Sequence, residues 1–345
     1  MTCHTTRWIS WARATSATLL FVFCSFAVAT NQTTATAWSD HSPHETRFVT
    51  VNGVTLHYLD WGGHGDTLLF LAGLGNTAHI FDDLAPRFTC CFRVLAYTRR
   101  GFGLSDKPAA GYDVTSRRAD LEGFVSALHL GQVNLVGHSI AGDELADFAA
   151  HYPEQVHTLV FLDATYDHSS MPVAAANAID EALGKTFDSR GAMSSWERFS
   201  DYQKHLLDGA WARPWEADLR DAYVERADNT IQLRNSENAI AALRQGSRQA
   251  HMDFGQIRVK SLAIMAISDP IEGVSFKERA KYQRYADEIT NWKAEQRRVV
   301  KRNPNIRLVL MKKTNHYCFL QRPQQVTDEM INFFHCRLSK RSHDA

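Results

Sequence analysis

Short apolar segments alternate with helical segments over much of this chain, and this alternation is the feature that most restricts its fold. Four segments predict strands buried on both faces, because they are short, apolar and bounded by turn residues. They are Thr67 to Leu71, Arg93 to Tyr97, Val133 to Val136 and Thr158 to Leu162. A helix, Val114 to Leu128, is predicted between the second and the third. Strands that alternate with helices predict a mostly parallel sheet with helices on both faces, whose functional site lies at the carboxyl ends of the strands.

Further strands flank this series. Arg47 to Val51 and Leu56 to Asp60 precede it as an antiparallel pair, and Ser261 to Ile267 and Ile306 to Met311 follow it. A charged helix from Ser275 onward separates the last two strands. The final helix is predicted from Gln324 to about Leu338.

Residues 166–258 differ from the rest, because they are helical in pattern, rich in aromatic residues and without a convincing strand. We interpret them as a helical cap inserted into the core before the last two strands. The predicted organisation is a signal peptide at 1–29, a flexible segment at 30–46, the first part of the core at 47–165, the cap at 166–258 and the second part of the core at 259–345.

The amino-terminal segment has the pattern of a signal peptide. Arg7 and Arg13 precede an apolar run, Ala17 to Ala29, that ends in small residues. The run has about 13 residues, whereas a membrane anchor needs about 20. A lipid anchor at Cys24 is disfavoured by the bulky residues before it. We expect cleavage after Ala29, no stable membrane anchor in the mature form, and a secreted or periplasmic protein.

Cleavage would leave four cysteines, Cys90, Cys91, Cys318 and Cys336, in a compartment that permits disulfides. One alternative is a bridge from Cys336 to Cys90 or Cys91, and the other is buried free thiols. The sequence alone leaves the pairing open. No cysteine or histidine spacing resembles a zinc site.

The charge balance excludes an obvious polyanion-binding protein, because 38 basic residues match 38 acidic ones. No metal, nucleotide or flavin motif is present, so we predict no cofactor and no nucleic-acid partner. The expected partner is a small-molecule substrate, and the oligomeric state stays open.

The segment Gly137-His138-Ser139-Ile140-Ala141 follows a predicted buried strand directly and opens a helix. A serine hydroxyl is a poor nucleophile unless a base takes its proton and a tight strand-to-helix turn exposes it. Small residues must flank such a turn, and Gly137, Ala141 and Gly142 provide them. The alternative is an ordinary serine that caps a helix. Its place after a buried strand favours Ser139 as the nucleophile.

From these motifs the chain resembles the α/β-hydrolase family over nearly the whole mature sequence. Leu68 to Gly75 is similar to the oxyanion loop of that family, although Ala72 replaces the usual histidine. The resemblance implies that the backbone amides of Leu74 and Ile140 would stabilise the oxyanion of an intermediate. The loop Arg100 to Pro108 is similar to a structural loop of the family. The implied fold is an α/β-hydrolase fold with a helical cap.

The same resemblance implies a histidine base and a carboxylate. His316 follows the last predicted strand, and it is the only one of the 16 histidines with this placement. Asp269, after the strand that ends at Ile267, resembles the family's usual acid, and Asp163, after the earlier strand, is the alternative. Both fit the order serine, acid, histidine. His138 is expected to be structural or to line the pocket.

These residues predict a serine hydrolase that acts on a carboxylic ester or a related acyl compound. A serine at the turn argues against epoxide hydrolase and dehalogenase chemistry, which use an aspartate there. The alternatives are a catalytically silent binding protein and a cofactor-free haloperoxidase or carbon-carbon hydrolase with the same triad. Trp196, Trp211 and Trp215 suggest an apolar cleft, and hence a modest-sized, partly apolar ester, although cap core is their commoner role.

Overall fold

The computed structural model describes residues 38–184, 193–206, 212–234 and 237–336. The chain divides into two compact units, residues 1–40 and residues 41–345. Only residues 38–40 of the first unit are described, so the predicted signal peptide lies outside the described residues. Trp211 and Leu338, the predicted last residue of the final helix, also lie outside them. All that follows concerns the second unit.

An eight-stranded sheet forms the centre of this unit, in the order β1-β2-β4-β3-β5-β6-β9-β10. The pairs β1/β2 and β2/β4 are antiparallel, and the other neighbours are parallel. The strands are β1 (Glu45–Val51), β2 (Val54–Gly62), β3 (Thr67–Leu71), β4 (Arg93–Tyr97), β5 (Val133–His138), β6 (Val156–Leu162), β9 (Ser261–Ile267) and β10 (Ile306–Lys312). The predicted mostly parallel sheet is confirmed.

Helices cover both faces of this sheet, which explains why every residue of β3 and β5 is buried. The α-helices in the described residues are α1 (Val114–Ala127), α2 (Ala141–His151), α3 (Val173–Gly184), α4 (Trp196–Leu206), α5 (Arg213–Ala222), α6 (Glu237–Gln249), α7 (Phe276–Arg302), α8 (Cys318–Gln321) and α9 (Pro323–Phe334). Phe124 of α1 and Phe148 of α2 pack in the core on one face. Met330 and Phe333 of α9 pack in the core on the other.

The cap departs from its prediction in one respect. Besides α3 to α6 it contains a two-stranded antiparallel sheet, β7 (Tyr223–Glu225) and β8 (Ile231–Leu233). Each strand has only three residues, too few for an alternating pattern to be recognised in the sequence. Asn229 takes a left-handed conformation, with φ of 66°, in the turn between the strands. The expectation of a cap without strands was therefore wrong.

A disulfide joins Cys91 to Cys336, with 6.1 Å between their Cα atoms. It connects the segment before β4 to the residues after α9, which is one of the pairings that the sequence left open. Cys90 is a free, exposed thiol, and Cys318 is free and buried. No helix within the described residues is long and apolar enough to cross a membrane.

Candidate active site

Ser139 lies on the sharp turn between β5 and α2, at the carboxyl edge of the sheet. Its φ of 57° is left-handed, a strained conformation for a residue with a side chain. Close packing around the turn explains the small residues there. A Cβ on Gly142 would lie 1.7 Å from the carbonyl oxygen of Ala164, and one on Gly137 would lie 2.9 Å from Leu145. The turn therefore brings the serine next to the loop that follows β6.

Ser139, His316 and Asp163 form one continuous hydrogen-bonded chain. The His316 Nε2 atom lies 2.7 Å from the Ser139 Oγ atom, and its Nδ1 atom lies 2.7 Å from Asp163 Oδ2. Nδ1–H can donate to the carboxylate while Nε2 accepts from the serine hydroxyl. This is the arrangement that proton transfer from serine to imidazole requires.

Asp163 is fully buried at the end of β6, and its other oxygen is also bound. Oδ1 accepts a hydrogen bond of 2.5 Å from the Tyr166 hydroxyl and one of 2.9 Å from the backbone N–H of Ala266. Burial raises the pKa of this carboxyl. The hydrogen bond from His316 and the charge of Lys293 outweigh the burial and hold the pKa at about 2. The carboxylate is therefore charged at neutral pH.

Asp269, the acid that the sequence favoured, lies elsewhere. Its carboxylate pairs with Arg279 and accepts a hydrogen bond from the backbone N–H of Ile271, and its side chain is 42% exposed. Strand order explains the difference. The strand that ends before Asp163 is the direct neighbour of β5, whereas β9 lies one strand farther from the serine. The structure thus places the alternative acid, Asp163, beside His316.

Leu74 and Ile140, the predicted oxyanion donors, both line the cavity above Ser139. Within the described residues neither backbone amide donates a hydrogen bond. Arg99 fixes the residues before Leu74. Its guanidinium donates hydrogen bonds to the carbonyl oxygens of Ala72, at 2.8 Å, and Gly73, at 3.4 Å.

His138 lies beneath the His316 loop, as the structural interpretation of its position predicts. Its Nε2–H donates to the carbonyl oxygen of His316 at 3.1 Å. Its ring packs against those of His316, Tyr317 and Phe319, with centroids 4.6, 4.8 and 5.0 Å away. Burial, followed by the charge of His316, lowers the pKa of His138 well below its usual value. A neutral His138 thus supports the loop that carries the base.

Three comparisons with known proteins agree on the fold. A family model described as the α/β hydrolase fold matches residues 66–209. A 2-(acetamidomethylene)succinate hydrolase from Mesorhizobium japonicum is 35% identical over 127 residues, which cover 37% of this chain and 45% of the relative. A non-heme chloroperoxidase from Streptomyces lividans is 34% identical over 118 residues, which cover 33% of this chain and 43% of the relative. The crystal structure of E-2-(acetamidomethylene)succinate hydrolase matches with a TM-score of 0.67 and 22% identity, over 85% of this chain and 100% of that one.

The chain has the α/β-hydrolase fold. The fold predicted from the sequence is thereby confirmed. The matched segments span less than half the length of both curated relatives. The likeness to the solved structure shows the shared fold.

In this α/β-hydrolase fold the cavity above Ser139 has a volume of about 210 Å³ and is more polar than the sequence suggested. Neither Trp196 nor Trp215 lines it. Trp215 packs against Tyr317 in the core beside the large sheet, and Trp196 packs against Phe199 and Arg220 within the cap. The described polar residues of its lining are His168, Asn177, Asp180, Arg244, Ser247 and Arg248. The expected apolar cleft is therefore not formed by Trp196 or Trp215, and Trp211 lies outside the described residues.

Sequence reasoning also missed a buried network behind this cavity. His168 Nδ1 lies 3.0 Å from the carboxylate of Asp143, and Ser247 accepts a hydrogen bond of 2.8 Å from Arg117. Arg117 also pairs with Glu144 at 2.8 Å. The sequence signal for this network is the pair Asp143 and Glu144, which lies in the first turn of α2 shortly after the serine. Both carboxylates are buried there and therefore need partners.

Proposed function

We propose that this protein is a serine hydrolase that cleaves a small ester or related acyl compound through an acyl-enzyme on Ser139. The observation that carries the proposal is the unbroken chain from Ser139 Oγ through His316 to Asp163, with 2.7 Å at each step. A pure binding protein would not need this chain. The named hydrolase among the relatives supports the same class of reaction.

The reaction follows from the positions of these groups. Ser139 Oγ attacks the acyl carbon while its proton passes to His316 Nε2, and the amides of Leu74 and Ile140 stabilise the oxyanion. The imidazolium, stabilised by Asp163, then protonates the leaving group as the bond from the acyl carbon breaks. Water enters, loses a proton to His316 and attacks the acyl-enzyme. Collapse of this second intermediate releases the acid and returns the proton to Ser139.

The haloperoxidase alternative has one observation in its favour, the similarity to the non-heme chloroperoxidase from Streptomyces lividans. Such chemistry would use the same three residues. Bromination of an indicator dye in the presence of peroxide and a short carboxylic acid measures it. Dye turnover that exceeds ester hydrolysis and is lost in Ser139→Ala would favour this alternative.

A fluorophosphonate probe tests the hydrolase without knowledge of the substrate, because it reacts with an activated serine. We expect one adduct by intact-mass spectrometry in the wild type and none in Ser139→Ala. Ser126→Ala is the matched control, since Ser126 is exposed on α1, and it should label like the wild type. A folded wild-type protein that gains no adduct would contradict the proposal.

We also propose that the protein acts outside the cytoplasm, after cleavage behind Ala29. The disulfide between Cys91 and Cys336 supports an oxidising compartment. Amino-terminal sequencing of the protein from a secreting host should read from Thr30. Recovery of the uncleaved protein in the cytoplasm, with both thiols reduced, would contradict this.

A further inference from the structure

We propose that the substrate of this site carries a carboxylate, which Arg244 and Arg248 bind on the cap side of the cavity. The inference rests on the proposed hydrolase function and names its substrate class. Both arginines line the cavity that also contains Ser139. They are four residues apart on α6, and residues with this spacing lie on the same face of a helix.

The packing of α6 fixes this face toward the cavity. Gly246 lies against the backbone of residues 112 and 113, since a Cβ there would be 2.8 Å from the carbonyl oxygen of Tyr112. Leu243 is fully buried in a cluster with Ile140, the residue after the serine. Ser247 is bound by Arg117. The helix is therefore fixed at three points around the two arginines, and its cavity-facing side is preorganised.

The charges of the lining do not cancel. Asp180 is the one carboxylate among the described lining residues, and no ion pair within 4 Å joins it to either arginine. Two guanidinium groups against one carboxylate leave an excess positive charge in the cavity. A substrate anion would neutralise it.

Arg248 also has an unmet hydrogen-bond donor. Its Nε atom is buried and has no hydrogen-bond partner within the described residues. Buried donors of this kind almost always have an acceptor, because leaving one unsatisfied costs free energy. A guanidinium matches the planar, two-oxygen geometry of a carboxylate better than any neutral acceptor. A substrate carboxylate in the cavity would meet the guanidinium of Arg248, which lines it.

The volume of the cavity limits the rest of the substrate. The cavity has a volume of about 210 Å³. This space suits a short acyl chain that ends in a carboxylate.

Two methyl esters of equal chain length test the substrate class, monomethyl glutarate and methyl pentanoate, with acid release followed in a pH-stat. We expect wild-type kcat/KM to be at least about tenfold higher for the anionic ester. Arg248→Gln should lower kcat/KM for that ester about 10- to 100-fold, mainly through KM, as the loss of a charged hydrogen bond predicts. The neutral ester should change less than about threefold.

Two further variants sharpen this test. Arg248→Lys should recover part of the lost activity, because it restores the charge without the two-pronged geometry. Arg302→Gln, at the exposed end of α7, should leave both esters unchanged. Equal wild-type activity on both esters, or an equal loss on both in Arg248→Gln, would overturn the inference.

A binding measurement separates this inference from the proposed chemistry. Glutarate should bind the Ser139→Ala protein at millimolar concentrations by calorimetry, and Arg248→Gln in that background should abolish the binding. No binding to folded Ser139→Ala protein would overturn the carboxylate site even if the serine labels with the phosphonate. Binding without phosphonate labelling would uphold the site and reject the hydrolase.

Discussion

Asp163 has no solvent contact, yet the groups around it favour its charged form. Burial alone would raise the pKa of the carboxyl, but His316, Lys293 and Tyr166 reverse the effect and hold the pKa at about 2. An acid that stays ionised at every assay pH can orient the imidazole and stabilise its protonated form. The exposed Asp269 has none of these partners.

Asp163→Asn should therefore lower kcat by about 10⁴-fold at neutral pH, because the amide favours the wrong imidazole tautomer. Asp269→Asn is the matched control. It removes only an exposed ion pair to Arg279, so kcat/KM should change less than about twofold. Steady-state ester hydrolysis measures both, with circular dichroism to verify folding. A loss in Asp269→Asn as large as that in Asp163→Asn would return the role to Asp269.

His138 gives the fold a dependence on pH. Burial and the charge of His316 lower its pKa in the folded state below the ordinary value of 6.5. The unfolded chain gains a proton at this residue as the pH falls through about 6.5, whereas the folded chain does not. The stability that a neutral His138 contributes is therefore present above that pH and is lost below it.

His138→Gln should make the fall in stability with acidification shallower, by up to ~1.4 kcal/mol per pH unit. The glutamine amide can still donate to the carbonyl oxygen of His316. Urea unfolding from about pH 7.5 to about pH 5.5 measures the slope. His64→Gln, an exposed site, should keep the wild-type slope. If the unfolding free energy of His138→Gln falls with pH as steeply as that of the wild type, His138 is not the source of the pH dependence.

The role of a single residue could be predicted from the sequence where the residue directly follows a predicted strand. Ser139 and His316 follow apolar strands, and the structure joins them. Asp163 and Asp269 also both follow strands, and only the order of strands in the sheet, which the sequence does not contain, separates them. Arg248 has no sequence signal, because an arginine on a polar helix face is usually solvated.

Among the elements, the oxyanion loop depends on helices on both sides. Arg99 binds the carbonyl oxygens of Ala72 and Gly73 and is paired with Glu144 of α2 at 2.7 Å. From the cap, Asp218 of α5 accepts hydrogen bonds from the residues after the loop glycines, Asn76 at 2.8 Å and Thr77 at 2.6 Å. The loop is thus fixed by one element of the core and one of the cap.

Among the described residues, Glu144 is the one carboxylate that both Arg99 and Arg117 contact, and it is fully buried. Glu144→Gln should lower the free energy of unfolding by about 3–5 kcal/mol, because buried Arg99 would lose its ion pair and buried Arg117 would keep only the longer of its two, to Asp143 at 4.0 Å. Urea denaturation measures this. Glu154→Gln, at an exposed position, should change it by less than about 0.5 kcal/mol. Equal stability of the two variants would show that the network contributes little.

The elements themselves followed largely from hydrophobic pattern, and the exceptions have physical reasons. The bounds of all eight strands of the large sheet were predicted to within a few residues. Each strand is long enough for its apolar or alternating pattern to be recognised in the sequence. The hairpin of β7 and β8 was missed because strands of three residues show no pattern. Between β3 and β4 the chain forms two short 3-10 helices, Ala78–Phe81 and Ala85–Phe88, and Pro86 lies at the start of the second.

At the scale of the whole molecule, the disulfide from Cys91 to Cys336 closes a loop of 245 residues that contains the serine, the base and the cap. A crosslink over so long a loop stabilises mainly by restricting the unfolded chain, typically by about 2–5 kcal/mol. Neither cysteine contacts Ser139, His316 or Asp163 in the described hydrogen bonds. The crosslink should therefore affect stability and leave the site geometry unchanged.

Cys90 complicates a simple test of this crosslink, because its thiol lies 3.6 Å from the Cys91 sulfur and can exchange with it. The comparison is therefore between Cys90→Ser and the double variant Cys90→Ser/Cys336→Ser. We expect the double variant to lose about 2–5 kcal/mol in urea unfolding. Added reductant should destabilise Cys90→Ser to the same level and leave the double variant unaffected. Two variants of equal stability, both insensitive to reductant, would mean that the crosslink does not form in solution, and the C-terminal helix α9 would then be held by its apolar core contacts alone.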